Sequence, residues 1–111
     1  MTEVEKSFDV RAKNLCSSSD IVKFKGTLDD FIKSNEFIDV KDNIDLTYVD
    51  ACHTYEGCKH DLLICKDVIH PKIAFAGHDY VSCWNGVINA VNEMFGKPDK
   101  TFIDYSWLKF A

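Results

Sequence analysis

Two stretches of this chain end in residues that can do chemistry. Tyr48-Val49 runs into Asp50-Ala51-Cys52-His53, and Ala74-Phe75-Ala76-Gly77 runs into His78-Asp79-Tyr80. Carboxylates and imidazoles of this kind bind a hard cation, orient a hydroxyl or carry a proton. A charged side chain beside an apolar strand needs water, a partner or a metal. In an open α/β sheet, the carboxyl ends of the strands form the crevice where ligands bind. Two adjacent strands ending this way place Asp50, His53, His78 and Asp79 around one site.

Each of these residues also has a plainer reading. Asp50 is a candidate N-cap for a helix starting near Tyr55. His78-Asp79 fits a turn in which Asp79 accepts backbone N–H groups. His53 fits a structural hydrogen-bonding role as well as that of a base. Cys52 beside His53 suggests a nucleophile and its base, but neighbours on an extended chain point to opposite sides, which argues against the pair. Tyr55 and Tyr80 read as packing residues with tethered hydroxyls. Trp84 reads as a loop anchor against the fold's own surface, Asp61 as structural, and His60 and His70 as surface residues.

The elements that must position these groups alternate along the chain. Val4, Phe8, Ala12 and Leu15 give residues 3–15 an amphipathic helical spacing. Ile21 to Lys25 alternates and is β-branched, as a strand does. Thr27 with Asp30 three residues on forms a capping-box pattern ahead of Leu28, Phe31 and Ile32. Ile44 to Val49 reads as a strand. After Gly57, the stripe Cys58, Leu62, Cys65 and Ile69 predicts a helix, which His70-Pro71 ends. Lys72 to Ala76 is nearly continuous in apolar residues, as expected of a strand buried on both faces in a parallel sheet. Residues 80–85 read as a loop. Gly86 to Phe95 predicts a helix with Val87, Val91, Met94 and Phe95 inward, stopped by Gly96 and Pro98. Thr101–Tyr105 and Trp107–Phe110 read as terminal strands. The order predicts one domain, residues 1–111, with about four mostly parallel strands joined by right-handed crossovers.

Composition narrows the classes. With 111 residues, 46% hydrophobic and 13% aromatic, the chain reads as a single globular domain. A net charge of -5 without a basic tract disfavours nucleic acid and anionic membranes as partners. The five cysteines form no C-x-x-C, and Cys58 and Cys65 read as small buried hydrophobes. The apolar runs are too short for a membrane span, and the first residues lack a secretory pattern. These features read as a soluble, cytoplasmic protein.

The residues Ile44-Asp45-Leu46-Thr47-Tyr48-Val49-Asp50-Ala51-Cys52-His53-Thr54-Tyr55-Glu56-Gly57, then Asp61, Gly77-His78-Asp79-Tyr80 and Gly86-Val87, resemble class I S-adenosylmethionine-dependent methyltransferases. They are similar to the subgroup that writes strand four as I-D-x-x-x-I-D-G-x-H-x-Y-E-G and strand five as G-H-D-Y. The resemblance runs over roughly residues 8–105. It implies a partial Rossmann-like doubly wound sheet whose last strand is antiparallel. It implies O-methyl transfer to a small hydroxylated acceptor. It places Gly26, Thr27 and Asp50 on the S-adenosylmethionine side, Asp50, His78 and Asp79 as ligands of a possible magnesium ion, and Asp50, His53 and His78 in catalysis. A hard divalent ion takes oxygen ligands and leaves positions open for substrate, and methyl transfer needs an oxygen nucleophile held in line with the sulfonium.

The departures from that pattern carry expectations too. Members of this class have a first strand ending in a glycine-rich loop and a second ending in an acid that grips the ribose. About twenty residues precede the first predicted strand here, and they contain no glycine. Cys52 stands where the subgroup more often has an acid, and Leu28 where a small polar residue is common. The resemblance therefore implies the carboxyl-terminal half of the fold, with weak cofactor affinity and self-association or a complementary amino-terminal half as partner. The alternative is a non-catalytic binding or oligomerisation module derived from a truncated methyltransferase.

Overall fold

The structure is a computed structural model that describes residues 24–50 and 53–111. The helix expected at 3–15 and most of the strand expected at Ile21–Lys25 lie outside the described residues. Phe24 and Lys25 belong to no strand.

The first described helix, α1 (Leu28–Ile32), begins at the predicted capping box. Thr27 Oγ1 accepts from Asp30 N at 3.1 Å, and Thr27 N donates to Asp30 Oδ2 at 3.2 Å. Those bonds to Thr27, the backbone one foremost, hold the Asp30 carboxyl below the usual carboxylate range. A second short helix, α2 (Asn35–Val40), follows at once. Its start is the Ser34 cap, whose Oγ accepts from Phe37 N at 3.2 Å. The sequence pattern did not separate these two turns of helix, because six residues are too few to display a periodicity.

Strand β1 (Leu46–Val49) leads to α3 (Tyr55–Ile64). The N-cap of α3 is Thr54, whose side chain accepts from Gly57 N at 3.2 Å, so Asp50 does not cap it. The helix closes in a wider π turn (Cys65–Ile69), with His70 N donating to Cys65 O at 2.9 Å. His70 itself takes a left-handed conformation, φ 53°, before Pro71. Strand β2 (Ala74–Gly77), a 3-10 turn (Ser82–Trp84) and α4 (Asn85–Phe95) follow. Two short strands, β3 (Lys100–Thr101) and β4 (Trp107–Phe110), complete the chain. Residues 102–105, expected as strand, form the turn between them, with Tyr105 N donating to Phe102 O at 3.0 Å.

The four strands lie in the order β1-β2-β4-β3. β1 pairs with β2 in parallel, whereas β4 runs antiparallel to both β2 and β3. The described sheet is therefore mixed, with one parallel pairing among three. The antiparallel last strand is as expected. The continuous burial of Ala74–Gly77 is that of a central strand. It does not distinguish a parallel neighbour from an antiparallel one, which is why "mostly parallel" overstated this part of the sheet.

Helices α3 and α4 pack side by side over the sheet. Leu62, Cys65, Ala90, Val91 and Trp107 are all at most 2% exposed and form the centre of the core with Phe75. The Phe75 and Phe95 rings meet at 4.6 Å between centroids, and Phe95 lies 6.0 Å from Trp107. Burial pushes the Cys65 thiol up to about 11, consistent with a small hydrophobe in the core rather than a nucleophile. None of the described helices is long and apolar enough to cross a membrane.

Candidate active site at the strand ends

Register decides where the acids meet. Val49 pairs with Gly77, and the ladder continues through His78 N donating to Val49 O at 3.2 Å. Asp50 and His78 therefore leave the sheet side by side. Gly77 is required there, because a Cβ on it would lie 2.6 Å from Trp107 Nε1 and 2.7 Å from Val49 O. The next residue but one, Asp79, turns the chain with φ 62°. Aspartate tolerates this left-handed region better than most residues, so its carboxylate swings back over the strand ends.

Both oxygens of Asp79 find an imidazole. Oδ2 lies 2.6 Å from His53 Nε2, and Oδ1 lies 3.0 Å from His78 Nδ1. His78 Nδ1 also lies 3.8 Å from Asp50 Oδ1. Asp79 is the most enclosed of the four, with 18% of its side chain exposed against 54% for Asp50. One donor atom each from Asp50, His78 and Asp79 fall within 4.8 Å of one another. The four residues line a cleft of about 10 Å³ floored by Val49, Cys58, Val87 and Trp107, about the space that one small occupant needs. A donor set of two carboxylates and an imidazole at these separations fits a divalent cation.

A carboxylate only accepts hydrogen bonds, so His53 Nε2 carries the proton in its bond to Asp79. That leaves His53 Nδ1 with the lone pair. The other face of the arrangement is aromatic. The Trp84 indole stacks on the His53 ring at 4.2 Å and 19°.

Sequence reasoning had Asp50, His53, His78 and Asp79 as one group, and the structure brings them together. It missed Asp104. This carboxylate sits in the β3–β4 turn, where it accepts from Ser106 N at 3.0 Å. That backbone bond, then the Ser106 side chain and the charge of His78, hold the Asp104 carboxyl below its ordinary range. The turn is tied to the site because Tyr80 N donates to Tyr105 O at 2.9 Å. Nothing in the spacing could reveal Asp104, since a hairpin of a mixed sheet brings it to the strand ends from 25 or more residues away in sequence.

Gly26 and Thr27 stand apart from this cluster. Gly26 has φ 156°, and a Cβ on it would meet the Phe24 ring at 2.9 Å. The Thr27 hydroxyl and N–H are both engaged in the cap of α1. Next to them, Leu28 and Phe31 join Val49, Asp50, Asp61 and Cys65 around a larger groove of about 450 Å³ beside β1. Burial raises the Asp61 carboxyl above its ordinary range there. Residues 4–80, more than half of the chain, match the family model described as a methyltransferase domain. The chain belongs to the methyltransferase-domain family. The match includes β1, α3, β2 and the Gly77-His78-Asp79-Tyr80 motif. The family in general uses S-adenosylmethionine. No curated protein and no solved structure matches the chain.

Proposed function

We propose that this chain is the acceptor-side, carboxyl-terminal part of an S-adenosylmethionine-dependent O-methyltransferase of the strand-five G-H-D-Y subgroup, acting on a small hydroxylated acceptor. The observation that carries the reading is the meeting of Asp50, His78 and Asp79 within 4.8 Å at the ends of two paired strands. S-adenosylmethionine, when bound, supplies the methyl group as an electrophilic sulfonium. A divalent cation such as magnesium fits Asp50, His78 and Asp79, and when bound it lowers the pKa of the acceptor hydroxyl.

The chain's own residues do the remaining work. Asp79 fixes the tautomer of His53 and turns Nδ1 into the basic nitrogen. Nδ1 would take the proton of an acceptor hydroxyl held beside it. The groove between α1 and β1 would offer the apolar walls of Leu28, Phe31 and Val49 to the adenine end of the cofactor, with Gly26-Thr27 preceding Leu28 in the chain. The experiment is transfer of label from methyl-labelled S-adenosylmethionine to catechol or a methyl glycoside, with magnesium or with a chelator. Label on the acceptor, lost in Asp50→Asn, is expected. No transfer at saturating cofactor overturns the reading.

A second reading is favoured by a specific observation. Among the described residues β1 pairs on one side only, and Leu46 and Tyr48 stand more than half exposed on it. An uncovered edge of this kind suits a binding or oligomerisation module, with a second copy or a complementary amino-terminal half as partner. Sedimentation of the chain alone tests the edge, a stable dimer supporting this second reading when methyl transfer is absent and a strictly monomeric species contradicting self-association through β1.

A further inference from the structure

The Trp84 indole lies across the face of the His53 ring, and no role assigned so far accounts for that contact. We infer that Trp84 is a positioning residue for His53, holding the imidazole in the plane from which Nδ1 faces an acceptor; the inference rests on the methyl-transfer role of His53 proposed above. His53 needs such a partner. It sits in the irregular stretch before the Thr54 cap, and its side chain is 42% exposed. Its hydrogen bond to Asp79 fixes one nitrogen, but a single bond leaves the ring free to swing about the line joining donor and acceptor. A flat contact on the ring face removes that freedom. The stack at 4.2 Å and 19° is such a contact, within the separations at which offset aromatic pairs attract.

The backbone around the pair is built for it. Val81 N donates to Asp79 O, and Trp84 N donates to Val81 O, each at 2.9 Å. One short turn therefore presents both partners of His53: the Asp79 carboxylate at its ring edge and the Trp84 indole on its face. The start of α4, directly after this turn, is pressed onto the His53 backbone at Gly86, where a Cβ would come within 2.9 Å of His53 O and 2.7 Å of Tyr55 N. Trp84 remains 41% exposed despite its size, so its contact is not explained as core packing. It acts through His53, with no hydrogen bond of its own to the carboxylates.

The test compares Trp84→Ala and Trp84→Phe with the parent chain. The first readout is the NMR signals of the His53 ring, assigned with His53→Gln. In the parent these signals carry the ring-current shift of the indole. Trp84→Ala is expected to lose that shift and to broaden them, and Trp84→Phe, which keeps a ring in place, to retain part of it. The second readout is methyl transfer. Trp84→Ala should lose kcat by on the order of a hundredfold, as expected for a misplaced catalytic group, with KM for S-adenosylmethionine unchanged and with partial rescue in Trp84→Phe. Unmoved His53 signals in Trp84→Ala overturn the inference, as does an unchanged kcat. If the parent transfers no methyl group, the functional reading falls, and the NMR comparison still decides whether Trp84 holds the His53 ring. Should Trp84→Ala fail to fold, Trp84→Leu gives the ring-free comparison.

Discussion

The two sides of the site are built differently. At the strand ends, Asp50, His53, His78 and Asp79 are locked into contacts between 2.6 and 3.8 Å by strand register, a glycine that admits no side chain and a left-handed aspartate. Beside β1, the groove has mostly apolar walls; of the polar residues expected to serve a cofactor, Asp50 lines it, and Thr27 has its hydroxyl and N–H engaged in the cap of α1. One side is a pre-organised cluster of carboxylates and imidazoles. The other, among the described residues, offers shape without many directed polar groups. Among the described residues the ordered cluster and the open groove are built from largely different stretches of chain and share Val49 and Asp50.

The largest effect that sharpens this contrast concerns affinity. Among the described residues the groove offers few directed polar groups, and two or three such hydrogen bonds or charge contacts are worth about a thousandfold in affinity, so the chain is expected to bind S-adenosylmethionine correspondingly weakly. Titration calorimetry measures this directly. A low-micromolar dissociation constant would show that the groove is better equipped than its walls suggest.

Next comes the glycine that sets the organised side. Gly77→Ala forces a methyl group against Trp107 and the Val49 carbonyl, and overpacking of this kind costs about 2–3 kcal/mol. Urea unfolding should register the loss. Stability equal to the parent would mean that the strand ends can relax, and that the cluster is less fixed than its distances imply.

Asp79→Asn probes the chemistry with little change in the backbone, since asparagine tolerates φ 62° as aspartate does. It removes the carboxylate that sets the His53 tautomer. Methyl transfer should fall by on the order of a hundredfold or more, with binding in the groove unaffected. Equal losses in both would mean that the two sides are not separable.

The smallest expected effect lies in the groove. Burial raises the Asp61 carboxyl in the folded chain, so folding favours its protonated form. This contribution is fully present below the unfolded pKa and is lost as pH rises through the folded pKa. Asp61→Asn should therefore stabilise the chain at neutral pH, by roughly a few tenths of a kcal/mol after solvent screening, and give no gain at low pH. A destabilised variant at neutral pH would indicate a favourable partner for this carboxylate.

Much of the organised side was legible in the sequence. Apolar runs that stop at acids and histidines locate strand ends, and the Thr27–Asp30 box and the stripe Cys58, Leu62, Cys65 and Ile69 locate helices. What escaped depends on contacts that periodicity does not encode. Asp50 was the candidate cap for α3, and the local path of the chain puts Thr54 there instead. An apolar run like Ala74–Gly77 reports burial on both faces but not the direction of its neighbours, so the antiparallel pairing with β4 was visible only in space. Residues 102–105 have the composition of a strand yet turn back, with Tyr105 at φ 69°. That turn is what delivers Asp104 to the site. Trp84 was recognised as an anchor, but its partner, His53, lies across the fold.

The strand-end cluster is proposed as a cation-competent acceptor site. Manganese, as a paramagnetic stand-in for magnesium, tests it most directly when titrated into the isotope-labelled chain and followed by NMR. Broadening confined to Asp50, His78, Asp79 and their neighbours, reversed by a chelator and absent in Asp50→Asn, is the predicted result. Broadening spread over the acidic surface, or none at the strand ends, would contradict it.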